Sequence, residues 1–320
     1  SSFDRALDLF SDIITNSTFN AVELEKERQT LLSLIKRRND DWQNDAEVRI
    51  RRLLYSDHPY ALDPLGYEES VKNLERSYVR DLYMKYCTPD NMVLVIYGDI
   101  CKQDVVNAVE RAFARFRRRG LEVPEVPRWD GIPDSFKHVE TTEKQQAVIF
   151  IGYPCMDVSN PDWYAMRVLD AVISGIGYPG GWLHKALRGE RLVYVVHAWN
   201  YALKGRGYFL IMAATTPARL DTALAIIEEK VEKIKKEFIS DEELQMAKRI
   251  CNVMEDLYYS QTTASQAMIA GMYEVLGLGY DFRDDIREKI DAVTKEDVRR
   301  VANKYLNQCV TLIMKPAQEE

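Results

Sequence analysis

The sequence has few of the residue arrangements that mark a metal or redox site. Its five cysteines are widely spaced without a C-x-x-C pair, and its four histidines stand singly. An odd number of scattered cysteines argues against a disulfide framework or a zinc knuckle and favours free thiols in a reducing compartment. We therefore expect a cytoplasmic protein, with the periplasm or an organelle matrix as alternatives.

Long apolar runs and a basic excess are also missing. No run approaches the ~20 apolar residues that a membrane helix needs, so we expect no membrane span. The net charge is −7, and basic residues mostly alternate with acidic ones, which argues against a nucleic-acid partner. The one basic cluster, Arg115 with Arg117–Arg119, lies where a predicted helix ends. There a solvated helix cap is the favoured interpretation over a binding patch.

What the sequence does contain is a long internal repeat. Residues 77–97 and 296–314 follow the same pattern, a helical apolar stripe and then an apolar, strand-like run. At a constant offset of 219, Val79, Arg80, Lys85 and Tyr86 recur as Val298, Arg299, Lys304 and Tyr305. A chain of 320 residues can hold two ordinary domains, so the repeat predicts a duplicated domain.

The two copies differ at their start. The second copy has residues 141–220 before its shared part, and the first copy has nothing equivalent. We therefore expect that the first domain has lost its front half. Residues 119–140 are rich in Gly and Pro without sustained periodicity, which predicts a semi-rigid linker. The predicted domains are the C-terminal part of a first domain, 1–118, and a complete second domain, 141–320.

Periodicity predicts the elements on either side of the linker. Before it, we expect helices over 4–15, 21–38, 77–86 and 104–116 and a strand over Met92–Tyr97. After it, we expect strands over 147–153, 193–202 and 208–214, and helices over 161–174, 182–187 and 220–236, with capping boxes at Ser240–Glu243 and Thr294–Asp297. The fold class is α+β: two homologous domains, each a mostly antiparallel mixed sheet with helices on one face, the first truncated at its N-terminus.

Candidate chemistry is sparse. Gly175–Gly180 fits the G-x-G-x-x-G string, but it follows a helix where a dinucleotide site needs a strand, so we interpret it as a flexible turn. None of the histidines has a second ligand at helical spacing. By itself the chain displays no self-contained active site.

Several segments in a shared order carry a family resemblance. ALDLFSDIITNSTFNAVELEKERQTLL, DHPYALDPLGYEESV and DNMVLVIYGDI resemble the later part of a catalytic-type domain in the pitrilysin–insulinase family of zinc metallopeptidases, the inverzincins. From Gln145 onward, QQAVIFIGYP, NPDWYAMRVLDAVISG, LHKALRGERLVYVV and IDAVTKEDVRRVANKYL resemble that family's second domain. The resemblance implies paired homologous domains that enclose a chamber in which unfolded peptides are cut.

The resemblance also implies what this chain lacks. The family binds zinc through H-x-x-E-H, in which two histidines ligate the metal and the glutamate activates water, and the motif is absent here. A third ligand of the family, a glutamate, falls at Leu34, and a second functional glutamate falls at Glu27. Leu cannot ligate zinc, so this face of the helix is predicted to be core. We expect no metal or cofactor in this chain and zinc in a catalytic partner half.

The family's second domain carries an arginine followed seven residues later by a tyrosine near the substrate. Here Arg188 and Tyr194 are six residues apart. Two explanations stay open, a substitution by Arg191 or a tighter turn, beside the alternative of a helix end next to a strand aromatic. We assign Arg188 and Tyr194 as candidate substrate-binding residues.

These inferences predict the non-catalytic half of a zinc metalloendopeptidase, either C-terminal domains of a longer chain or a partner subunit. Its expected partners are a peptide substrate and a catalytic half or homologous subunit bearing H-x-x-E-H, with self-association also expected. An architectural, peptidase-like core subunit without a proteolytic role is the main alternative. An autonomous enzyme with unrelated chemistry is a further one.

Overall fold

The computed structural model describes residues 2–259 and 261–317. They divide into two compact units, each of which combines segments from both halves of the sequence. Unit 1 contains Ser1–Arg37, Pro64–Glu125 and Ser260–Asp281, and unit 2 contains Arg38–Asp63, Val126–Tyr259 and Phe282–Glu320. The predicted domain boundaries concern the order of the two repeats along the chain, and they stay a prediction.

Helices are the most frequent element in both units. In chain order they are α1 (Ser2–Thr15), α2 (Ala21–Asp40), α3 (Trp42–Tyr55), α4 (Glu68–Lys72), α5 (Arg76–Tyr86), α6 (Lys102–Ala112), α7 (Asp162–Ile173), α8 (Gly181–Leu183), α9 (Leu220–Lys236), α10 (Asp241–Tyr259), α11 (Thr263–Leu276), α12 (Ile286–Ala292) and α13 (Lys295–Tyr305). A five-residue π-helix, His184–Arg188, continues α8. Short 3₁₀ turns occupy Pro59–Ala61, Pro89–Asn91, Pro217–Arg219 and Phe282–Asp285. Within the two described ranges, no helix combines the length and apolarity that crossing a membrane requires.

Unit 2 is built on a five-stranded mixed sheet. Its strands are β1 (Phe136–Thr142), β2 (Ala147–Pro154), β3 (Val195–Tyr201), β4 (Tyr208–Thr215) and β5 (Val310–Pro316). Their order is β1-β5-β2-β4-β3, in which β1 and β5 are parallel and the other neighbours antiparallel. The α+β class with a mostly antiparallel mixed sheet is confirmed for this unit. β1 was not predicted, and most of it lies in the segment predicted to be linker.

The sheet of unit 2 is covered on both faces. Val148 and Phe150 of β2 belong to one apolar cluster with Ile50 and Leu54 of α3. Tyr153 faces the other way because side chains alternate along a strand. Burial, Cys309 and Glu228 of α9 raise the pKa of its hydroxyl, which puts α9 on that second face. We therefore correct the expectation of one helical face, since α3, which was not predicted, occupies the other.

Local signals set several helix limits in unit 2. α9 spans the predicted residues, and its apolar stripe is buried. The N–H of Glu243 donates to Ser240 Oγ at 3.1 Å, and the N–H of Ser240 donates to Glu243 Oε2 at 2.9 Å. Thr294 and Asp297 form the same reciprocal pair. Both predicted capping boxes are thus confirmed.

Unit 1 is helical in the part of the chain that the structure describes. The predicted strand Met92–Tyr97 does not form. Met92 has an extended backbone, with φ −132° and ψ 145°, but a strand needs a partner to complete its hydrogen bonds. The described residues of unit 1 contain no such partner, so the expectation of a sheet in the first domain is not met there.

Helix α6 is also shorter than predicted. It ends at Ala112, four residues before the predicted limit. Arg111 is the basic residue of its last turn, whereas Arg115 and Arg117–Arg119 lie beyond the helix. The interpretation of that cluster as a helix cap is therefore wrong, because the partial charge of a helix end falls off within its last turn.

The internal repeat is visible in the helices. α5 and α13 each have 11 residues, and both their ends differ by the offset of 219. The helical part of the repeated pattern is confirmed, whereas its strand forms in the second copy as β5 and not in the first.

A second pair of helices is exchanged between the units. α3 and α11 each have 14 residues, and their starts lie 221 residues apart, close to the repeat offset of 219. α3 belongs to unit 2, and α11 belongs to unit 1, where a Cβ atom on Gly271 would lie 3.2 Å from Val95 Cγ2. Each unit therefore contains a helix contributed by the other repeat.

Candidate functional site

The candidate site lies in unit 2, between the end of α7 and the start of β3. Gly175–Gly181 form the loop that follows α7, and three of its glycines have positive φ. A Cβ atom on Gly181 would lie 2.6 Å from the carbonyl oxygen of Ile173, so this position requires glycine. Since the loop joins a helix to the three-residue α8, it lacks the context of a dinucleotide site. A turn forms here as predicted, but hydrogen bonds hold it in place, contrary to the expectation that it is flexible.

A buried pair ties this loop to α7. The hydroxyl of Ser174 donates to Asp170 Oδ1 at 2.6 Å, and the N–H of Ile176 donates to Ser174 Oγ at 3.3 Å. Burial raises the pKa of Asp170 to about 7, although the bond from Ser174 and the charge of Arg167 oppose that rise. Ile176 itself has φ +48°, a conformation that a β-branched residue rarely adopts, so the loop is held in one strained shape.

The structure brings Arg188 and Tyr194 together. Arg188 Nη1 donates to the carbonyl oxygen of Tyr194 at 2.9 Å, and the N–H of Tyr194 donates to Ala214 of β4 at 2.8 Å. The Tyr194 side chain is 61% exposed, and Arg188 is exposed too. Both side chains therefore face solvent at the start of β3. Their role in binding a substrate stays a prediction.

The six-residue spacing is closed by a tight turn. The N–H of Leu192 donates to the carbonyl oxygen of Leu187 at 2.8 Å, and Arg191 has φ +56°. The carbonyl oxygen of Arg191 accepts a hydrogen bond from the guanidinium of Arg219. Of the two explanations for the spacing, this geometry favours a tighter turn over a replacement of Arg188 by Arg191.

Two histidines lie behind Arg188. The rings of His184 and His197 are 5.3 Å apart, and the Nδ1 atom of each is buried without a hydrogen-bond partner among the described residues. Burial lowers the pKa of both rings, and the charge of Arg188 lowers each further. They are thus held neutral. Sequence reasoning missed this pair because 13 residues and a turn separate them, and no local spacing signals the contact.

β3 supplies an open strand edge beside Tyr194. It is the last strand of the sheet and, within the described residues, pairs with β4 on one side and with no strand on the other. An edge strand presents free N–H and C=O groups to which an extended peptide can pair. With an exposed arginine and an exposed tyrosine at its start, this edge can bind peptide backbone.

The two residues predicted to be a remnant of the family's metal site, Glu27 and Leu34, lie on α2 in unit 1. Glu27 is exposed and Leu34 is half-buried. The helix face with Leu24, Leu31 and Leu34 was predicted to be core. These three leucines are only half-buried, and the buried residue of α2 is Ile35, so that prediction is only partly correct. Across residues 2–259 and 261–317, no group of three or more His, Cys, Asp or Glu side chains could hold a metal ion. The residues at this position do not fit zinc, because Leu34 offers no donor atom.

Comparisons with known proteins cover the site. Residues 73–251 match a family profile described as the peptidase M16 inactive domain. An uncharacterized zinc protease of Bacillus subtilis is 25% identical over 315 residues, which span 97% of this chain and 74% of that protein. Arg188 and Tyr194 lie inside the range that matches the profile, whereas Glu27 and Leu34 lie outside it.

Solved structures agree on the fold. A peptidase M16 inactive domain from Pseudomonas fluorescens matches with a TM-score of 0.87 and 22% identity, over 98% of this chain and 75% of that one. A chain of Complex III2 from Candida albicans matches with a TM-score of 0.82 and 18% identity, over 98% of this chain and 76% of that one. At these identities the likeness concerns the fold.

Proposed function

The chain belongs to the peptidase M16 family through its inactive domain, and from this membership we propose that it holds peptide substrate for a zinc metalloendopeptidase whose catalysis lies elsewhere. It is a non-catalytic, peptidase-like half. Its proposed task is to form one wall of a chamber and to position an unfolded peptide there. The zinc and the H-x-x-E-H motif belong to a catalytic half or a homologous subunit that completes the chamber.

The observation that carries this proposal is the position of Arg188 and Tyr194 at the start of the free edge of β3. Arg188 uses Nη1 to bond the carbonyl oxygen of Tyr194, which fixes the guanidinium plane. Its remaining N–H groups can donate to a peptide carbonyl while the peptide pairs with β3 as an added strand. Backbone recognition of this kind is tolerant of sequence, as the processing of unfolded peptides requires.

The two buried histidines behind Arg188 leave its guanidinium group available to bind a peptide. Burial and the charge of Arg188 lower the pKa of His184 and His197, so these rings add no second positive charge beside the guanidinium, and neither Nδ1 atom accepts a hydrogen bond from it. Arginine and tyrosine are also the side chains that most often dominate binding energy at interfaces.

A binding measurement tests this proposal. We expect a fluorescently labelled, unfolded peptide to bind the chain, and Arg188→Ala or Tyr194→Ala to weaken binding roughly tenfold, the effect of losing one charge-assisted hydrogen bond or one anchor. Lys185→Ala is the matched control, since Lys185 is an exposed cation on the same π-helix. Equal weakening by Lys185→Ala would show that net charge, not the site, binds the peptide.

The partner half can be tested separately. We expect no peptide hydrolysis by the chain alone, and hydrolysis when it is mixed with an H-x-x-E-H-bearing half. Loss of that activity in Arg188→Ala would link binding to catalysis. Full activity of the catalytic half without this chain would contradict a substrate-holding role.

An architectural role is the second candidate. It is favoured by the fold shared with a chain of Complex III2 from Candida albicans. In that case Arg188→Ala and Tyr194→Ala would leave peptide binding unchanged, and the chain would purify within a stable complex that has no peptidase activity.

A further inference from the structure

A second candidate site lies in unit 1. A cleft of about 780 Å³ opens between the second half of α1, the end of α5 and the segment that follows α6. Its size is within the ~300–1,000 Å³ typical of ligand sites. The arginine cluster that α6 does not cap contributes to this cleft.

Specific hydrogen bonds hold the walls of the cleft. The hydroxyl of Tyr83 on α5 donates to the carbonyl oxygen of Ile14 on α1 at 2.8 Å. Arg119 Nη1 donates to the carbonyl oxygen of Met84 at 2.5 Å, and the N–H of Arg119 donates to Asp90 Oδ2 at 2.8 Å. The segment after α6 is thereby fixed against α5, so the arginines it carries have a defined position.

The cleft has an excess of positive charge. Four arginines and two aspartates line it, an excess of two positive charges: Arg111, Arg115, Arg117, Arg119, Asp8 and Asp12. Among the residues that the structure describes, no carboxylate forms an ion pair with Arg111, Arg115 or Arg117. Asp12 instead accepts a hydrogen bond from Asn16 Nδ2 at 2.8 Å. Several guanidinium groups that form no ion pair repel each other, and an anion between them would relieve that repulsion.

We propose that this cleft binds an acidic peptide segment. An isolated phosphate or carboxylate ion would leave most of the cleft unfilled. The walls also carry Ile14, Met84 and Phe116, which offer contacts to apolar side chains between acidic ones. Guanidinium groups bind carboxylates bidentately, and several in one cleft select a ligand with several carboxylates. This site does not depend on the role proposed for Arg188 and Tyr194.

The sequence supplies its own control. Arg118 stands between two of the cleft arginines and is exposed, but it does not line the cleft. Charge reversal at Arg118 changes the net charge of the protein as much as reversal at Arg115 or Arg117. The two kinds of variant therefore separate binding in the cleft from general attraction to a basic surface.

The experiment measures fluorescence anisotropy of a labelled Glu/Leu peptide and of its Gln/Leu counterpart. We expect the Glu peptide to bind, the Gln peptide to bind at least roughly tenfold more weakly, and added salt to weaken the Glu complex. Arg115→Glu and Arg117→Glu should each weaken binding roughly tenfold, and Arg118→Glu less than twofold. Amide hydrogen exchange should slow in α1 and α5 when the Glu peptide is added.

Three results would overturn the proposal: equal losses in Arg118→Glu and Arg115→Glu, equal binding of the two peptides, or displacement of the Glu peptide by inorganic phosphate at constant ionic strength. The last result would assign the cleft to small anions. If a charge reversal unfolds the protein, Arg115→Gln and Arg117→Gln serve in its place, with Arg118→Gln as the control.

Discussion

Gly152 of β2 lies directly against Leu54 of α3: a Cβ atom at position 152 would come within 2.5 Å of Leu54 Cδ1. Leu54 is 1% exposed, so its side chain has no open space into which it could move. The absence of a side chain at Gly152 therefore sets how closely α3, a helix from the first repeat, approaches the sheet of unit 2.

We accordingly expect Gly152→Val to lower the free energy of unfolding by about 1–3 kcal/mol through overpacking. Adding Leu54→Ala should recover part of that loss, so the double variant should be more stable than the sum of the two single changes predicts. Denaturant titration measures all three. Gly98→Val is the control, because nothing lies within 4 Å of a Cβ atom there. Strict additivity would mean that the two positions do not interact.

Asp162 at the start of α7 joins that helix to α13. Arg300 Nη1 donates to Oδ1 at 2.6 Å, and Lys304 Nζ and the hydroxyl of Tyr305 donate to Oδ2 at 2.8 Å each. Burial by itself would raise the pKa of Asp162, but the bonds from Lys304, Arg300 and Tyr305 outweigh it and lower the pKa to about 2.

A carboxylate with a lowered pKa stabilises the fold above its unfolded pKa of about 4, and that contribution is lost as the pH falls towards 2. We expect Asp162→Asn to cost about 1–2 kcal/mol at pH 7, a figure reduced because Arg300 and Lys304 are half-exposed. The difference from the unmodified chain should shrink at pH 2–3. Thermal unfolding at several pH values measures it, and a pH-independent difference would contradict the ionic origin.

The pKa of Asp170 is shifted in the opposite direction from that of Asp162. Its pKa is raised to about 7 by burial, so between pH ~4 and 7 the folded state holds a proton that the unfolded state has released. Stability from this group is present at low pH and is lost as the pH rises through 7. Asp170→Asn keeps an acceptor for Ser174, and we expect it to stabilise the protein at pH 8 by about 1–3 kcal/mol and at pH 5 by less. A gain of equal size at both pH values would exclude titration of Asp170 as the cause.

The two copies of the repeat should differ in backbone protection. β5 is paired with β1 on one side and with β2 on the other, whereas residues 92–97 have no strand partner in the described chain. We expect the amides of residues 311–315 to exchange hydrogen at least roughly a hundredfold more slowly than those of residues 92–97. Mass spectrometry after pulsed exchange measures this. Equal protection would indicate that residues 92–97 pair with another strand in solution.

Elements with a local signal were predictable from the sequence. The limits of α9 followed from a single apolar stripe. The starts of α10 and α13 followed from their capping boxes. β1 and α3 were missed because their partners are distant: Phe136 of β1 pairs with Val310, and α3 packs on a sheet from the other repeat. The strand at Met92 was predicted from apolar residues alone, but a strand depends on a partner as much as on its own sequence.

In the candidate site, too, some residues were predictable from the sequence and others were not. Arg188 and Tyr194 were predictable from the family resemblance, and a short turn along the chain brings them together. His184 and His197 meet only through the packing of the π-helix on β3, which no spacing in the sequence encodes. The cleft arginines were visible as a cluster but were misinterpreted, since that interpretation assumed a helix end that lies at Ala112 instead.

The last prediction concerns zinc. Glu27 and Leu34 are seven residues apart on α2, which corresponds to a rise of roughly 10 Å along the helix axis. A zinc site uses three or four protein ligands at about 2 Å, so the two carboxylates that Leu34→Glu would provide do not complete one. We therefore expect neither the unmodified chain nor Leu34→Glu to retain stoichiometric zinc after dialysis, as measured by inductively coupled plasma mass spectrometry. Neither should hydrolyse an unfolded peptide, with or without a strong chelator. One zinc per unmodified chain, or hydrolysis that persists in the chelator, would reveal a catalytic site in this chain and contradict its assignment as the non-catalytic half.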